Sequence, residues 1–146
     1  NGFNYALANE SSFYTPVYNG TDDYPRFGND CSGFASIAFQ QNRMNTDGFE
    51  NAIAAGTTFK KVGSYTISDN INYNDLMNSY PLLERADGIV YNYWSGGNLH
   101  GHVVIVGVNY TTGLLTYEQT PPKTAIKWRN YTDLASQSYM PFTMFD

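Results

Sequence analysis

The chain has 146 residues, 42% hydrophobic and 16% aromatic, with 8 Lys and Arg against 13 Asp and Glu for a net charge of -5. That size and apolar content suit a single domain over residues 1–146 with one sizeable core, and exclude a disordered chain. An acidic balance without basic runs or aromatic-basic interleaving excludes nucleic acid as the expected partner. The lone cysteine excludes an intramolecular disulfide framework, and one Cys with two unclustered His lacks the usual zinc spacings, so neither metal nor organic cofactor is expected.

No apolar run approaches the roughly twenty residues of a membrane span, so no membrane span is expected. Many Tyr, Asn, Ser and Thr with few Lys suggest an extracellular surface.

In chain order, "FNYALANESSFY" sets Phe3, Ala6 and Leu7 at helical spacing, predicting a short first helix that ends in the run to Pro16. "NGTDDYPRFGND" then reads as a loop. In "DCSGFASIAF", Cys31, Phe34, Ala35 and Ala38 follow the i, i+3, i+4, i+7 rule behind an Asp30 cap, predicting a buried-face helix that opens on the cysteine. Residues 43–71 give mixed signals, with "TTFKKV" and "SYTI" weakly strand-like. "YNDLMNSYPLL" predicts a short helix capped by Asn72 or Asn74 and closed before Pro81.

The period then changes. Asp87–Trp94, His102–Val108, Leu114–Gln119, Ala125–Arg129 and Tyr139–Phe145 are strand-length, β-branched or aromatic runs separated by Gly, Asn and Pro signals. Helices followed by strands predict an α+β domain, with the cysteine helix packed on an antiparallel sheet.

The position of Cys31 is chemically suggestive. In the first turn of a helix, free backbone N–H groups and the positive dipole end favour a thiolate, the nucleophilic form of the group. An imidazole can come only from His100 or His102. His102 opens an apolar strand and is the expected base, because a strand positions a side chain more rigidly than the loop assigned to His100 and Gly101. A third group should orient that imidazole. Folding the hairpin about Tyr110–Thr112 brings the next strand back, with Gln119 as first choice and Glu118 as the alternative that a one-residue slip would select.

"DCSGF", then "GHVVIV", then a polar residue on the following strand together resemble the NlpC-type cell-wall cysteine peptidases and their CHAP and putative-amidase relatives. "YPRFGNDCSGF" is similar to the putative-amidase branch, and "RADGIVYNY" to the segment that precedes the histidine strand. The resemblance covers Tyr24–Thr120, with its middle third poorly matched. It implies a papain-like fold, no cofactor, and a Cys31, His102 and Gln119 or Glu118 triad cleaving amide bonds of peptidoglycan or its stem peptides. It also implies a secreted or wall-associated enzyme, here expected to act as a monomer. The tyrosine that such enzymes place before the cysteine falls on Asn19, with Tyr18 adjacent and Tyr24 closer, which leaves the oxyanion donor open between these and the Cys31 N–H.

Tyr24 and Trp94 are candidates to line a substrate groove, and Asp30 and Ser32 to support the site as cap and first-turn residue. The same constellation can run acyl transfer or transglutamination, and a papain-like module that only holds glycan or peptide is the rival from another class.

Overall fold

The β-branched and aromatic runs of the second half are joined by short turns, so each pairs with a strand that runs back beside it. The computed structural model describes residues 31–42, 44–120 and 123–145. The strands are β1 (Phe59–Lys61), β2 (Gly88–Ser95), β3 (Asn98–Asn109), β4 (Gly113–Thr120), β5 (Lys123–Asn130) and β6 (Met140–Met144). The helices are α1 (Cys31–Ala38), α2 (Thr46–Ala55), α3 (Tyr73–Ser79) and α4 (Tyr131–Ser136), with a 3-10 turn over Tyr80–Leu82. The strands form one open sheet of order β1-β6-β2-β3-β4-β5, and every pairing is antiparallel. This is an α+β architecture, as the sequence pattern implies.

The order of elements is less segregated than the pattern suggests. β1 precedes α3, and α4 lies between β5 and β6. Helix α2 occupies part of the segment that gave mixed signals: Asn45 caps it by accepting from the Gly48 N–H at 2.8 Å, and Gly56, at φ 68°, closes it. Helix α3 is capped by Asn72, which accepts from the Asp75 N–H at 3.0 Å, and it ends before Pro81. The expected helix near Phe3–Leu7 and the loop that follows it lie outside the described residues.

The expected loop from Trp94 to Gly101 is instead a tight hairpin. Gly96 and Gly97 take φ of 59° and 80°, the left-handed pair that a two-residue turn requires, and β3 already begins at Asn98. His100 and Gly101 are therefore strand residues.

The core centres on four rings, Phe39, Phe49, Phe59 and Phe142, whose centroids lie 5.2 to 6.2 Å apart. All four are buried; each contributes roughly 1.5–3 kcal/mol of apolar burial. They tie α1, α2, β1 and β6 together, and α1 also packs on β3 and β4. Leu76 of α3, Tyr80 and Leu134 of α4 are buried in the same core, where α3 packs against α4. No helix among the described residues is long and apolar enough to cross a membrane.

Candidate active site

Cys31 is the first residue of α1 and is half-buried. As the first residue of that helix, it sets the thiol at the positive end of the helix dipole. The thiol faces the imidazole of His102 on β3 closely enough to favour its protonated form. The other side of that ring is also fixed, because His102 Nε2 lies 2.8 Å from Glu118 Oε1. A carboxylate can only accept, so Nε2 carries the proton and Nδ1 is the nitrogen left for the thiol.

Glu118 meets the histidine, and one residue explains why the register brings position 118 there. Near the hairpin tip, Val108 pairs with Leu115 and Asn109 with Leu114, which matches even positions of β3 to odd positions of β4. Continued without interruption, that register would bring position 119 to the His102 face. A bulge between Val106 and Val108 shifts it, so that Val106 pairs with Thr116 and Ile105 with Tyr117. Beyond Gly107 even positions face even positions, and Glu118 shares the face of His102.

Glu118 is fully buried and accepts four hydrogen bonds. Arg129 of β5 donates from Nε to Oε2 at 2.6 Å and from Nη2 to Oε1 at 2.7 Å, Thr116 Oγ1 donates to Oε2 at 2.6 Å, and His102 supplies the fourth. Burial pushes this carboxyl up, but the bonds from Arg129, His102 and Thr116 and the guanidinium charge outweigh it and hold Glu118 well below the usual carboxylate range. Burial also opposes the charged form of His102. Hydrogen bonds to Cys31 and Glu118, and their charges, reverse that effect and raise His102 from 6.5 to about 9.

Arg129 and Thr116 are the members of this network that strand patterns alone did not single out. Arg129 sits opposite Leu114 in the β4–β5 ladder and reaches along the strands to Glu118. Its guanidinium also lies 5.7 Å from the ring of Tyr139, which meets Tyr91 edge-on at 4.7 Å. Tyr91 is the cross-strand partner of His102.

The remaining expected residues fall in different places. Ser32 is the buried second residue of α1, and its carbonyl accepts from Ser36 Oγ at 2.7 Å. Trp94 is exposed near the end of β2, paired with Leu99. His100 stacks on Tyr93 at 5.1 Å, so its ring is held by an aromatic neighbour rather than by a loop. Tyr24 and Asp30 lie outside the described residues.

At Gly101, between the two histidines, α2 comes close to β3. A Cβ there would lie 2.5 Å from Thr46 Oγ1 and 2.6 Å from the Tyr91 carbonyl, so only glycine permits this approach. Thr46 in turn donates to Asn92 Oδ1 at 3.0 Å, fixing the start of α2 beside the histidine strand. Among the described residues, no group of three or more His, Cys, Asp or Glu could hold a metal ion.

A thiol, an imidazole and an ionised carboxylate connected in series are the parts needed for nucleophilic attack on a carbonyl and proton delivery to its leaving group. Compared with protein-family models, curated proteins and solved structures, the chain matches none.

Proposed function

We propose that the protein is a papain-like cysteine hydrolase that cleaves amide bonds in peptidoglycan or its stem peptides, outside the cell. The observation that carries the enzymatic reading is His102, set between Cys31 at the start of α1 and a buried, ionised Glu118 that accepts from its Nε2–H. The choice of substrate rests on the resemblance of "DCSGF" and "GHVVIV" to wall peptidases.

In the proposed reaction the Cys31 sulfur attacks the amide carbonyl, and the proton that the thiol gave to His102 passes to the departing amine. This leaves a thioester. Water then attacks the thioester as His102 takes its proton, and the carboxylic acid and free thiol are released. Glu118 stays ionised throughout, stabilising the imidazolium and holding its tautomer. The Cys31 N–H, at the start of α1, is the proposed donor to the oxyanion.

Purified cell wall incubated with the protein should yield new amine and carboxyl termini by mass spectrometry. No new termini from wild type, or equal release by Cys31→Ala, would refute the reading.

A further inference from the structure

The far end of β3 leads to a shallow surface depression. A cavity of about 430 Å³ is lined by Tyr110, Thr111, Thr112, Leu115 and Trp128. It adjoins one of about 670 Å³ between the 3-10 turn and α4, and the two share Tyr110 and Thr111. The groove lies eight residues along β3 from His102, roughly 25 Å away at the usual strand rise.

Three observations define what fits there. Among the described residues, no charged side chain lines either depression, although the chain carries a net charge of -5. Tyr110 and Trp128 are each about half exposed, 51% and 49%, with ring centroids 5.8 Å apart and planes at 55°. The turn that presents Tyr110 is also tethered far beyond what a simple connection needs.

Tyr110 N–H donates to the Gly113 carbonyl at 2.8 Å, and its own carbonyl accepts from the Tyr131 hydroxyl at 2.7 Å. Tyr131 N–H donates to the Thr112 carbonyl at 2.9 Å, and Asn109 Nδ2 donates to the carbonyls of Tyr80 and Leu83 at 3.0 and 2.9 Å. Trp128 is held by its place in the β4–β5 ladder opposite Leu115. Two exposed aromatic side chains are thus presented on fixed backbone, so a ligand that stacks on them pays little ordering entropy.

We infer that this groove binds an uncharged pyranose chain, whose C–H faces stack on Tyr110 and Trp128 while its hydroxyls meet Thr111 and Thr112. A neutral lining gives a charged polymer no counter-charge. Hydroxyls at the rim of an aromatic surface suit a ligand with an apolar face and a polar edge. The site is distinct from the cysteine centre and does not depend on hydrolysis there.

The chain has two tryptophans, so Trp94→Phe leaves Trp128 as the sole indole reporter. Titrating that variant with tetra-N-acetylchitotetraose and with cellotetraose should give a saturable fluorescence change for at least one sugar, with Kd between about 10 µM and 1 mM. In calorimetry with the same sugar, Tyr110→Ala and Trp128→Ala should each weaken binding about tenfold or more, Thr111→Val less, and Cys31→Ser not at all. Circular dichroism checks that each variant is folded, and the two aromatic variants serve as independent tests, one on a turn and one on β5. No saturable change with either sugar, or unchanged affinity in both aromatic variants, would overturn the assignment. So would concentration-dependent self-association that either variant abolishes, since the groove would then be an interface between copies of the chain.

Discussion

Replacing Arg129 with Met tests the electrostatics of the site most directly. Met keeps an unbranched apolar stem near Tyr139 but removes both guanidinium bonds to Glu118, leaving a fully buried carboxylate with only His102 and Thr116 as donors. Removing one partner of a buried ion pair costs about 3–5 kcal/mol. Two donors remain and Arg129 is itself 23% exposed, so the lower end, about 3 kcal/mol at pH 7, is the expected loss. The sign of its pH dependence follows from the depressed carboxyl. In the wild type, Glu118 contributes stability that is fully present above its unfolded value and is lost as pH falls toward its low folded value. In Arg129→Met the folded carboxyl moves up and that contribution is largely absent. The gap between the two proteins should therefore be greatest near neutrality and shrink by about 1.4 kcal/mol per pH unit below about pH 4.5. Urea unfolding of both proteins between pH 7 and 3 measures it. A gap that stays constant across that range would show that Arg129 contributes packing alone.

Cys31→Ala should abolish amide cleavage while leaving urea stability within about 1 kcal/mol, since a half-buried first-turn side chain fills little core; retained turnover would remove Cys31 as nucleophile. Glu118→Gln should lower kcat by up to about 10⁴-fold, as expected when a triad carboxylate is neutralised, whereas Gln119→Ala should leave kcat near wild type; the reverse ranking in steady-state assays would contradict the bulged register. His102 is raised from 6.5 to about 9, so its stabilising contribution is complete below about 6.5 and lost as pH rises through about 9. His102→Ala should flatten that alkaline decline in urea midpoints, and wild-type turnover should fall over the same limb as the imidazolium that protonates the leaving amine disappears.

Local signals were enough to place the cysteine on a helix and His102 on a strand. A cap-compatible stretch with apolar residues at helical spacing marks α1, and a β-branched run after His102 marks β3; both patterns are written in consecutive residues. The helix cap at Asn72 and the stop before Pro81 were legible for the same reason. Helix α2 was also written locally, in Asn45, Phe49, Ile53 and Gly56, but Gly48 within it weakened the helical pattern. The Gly96–Gly97 turn was likewise available as a hairpin signal, and reading it would have placed His100 in the strand.

The third group was a different kind of question. Gln119 and Glu118 are neighbours on one strand, and alternation along that strand cannot say which faces His102 until the register with β3 is known. The tip of the hairpin points to Gln119; the bulge at Gly107 reverses the parity and selects Glu118. Arg129 depends on one more pairing still, because its guanidinium reaches Glu118 only when β5 lies beside β4 and the side chain runs along the ladder. Residue type and local period determine which groups can do chemistry, whereas cross-strand register, which a single inserted residue inverts, decides which of them meet.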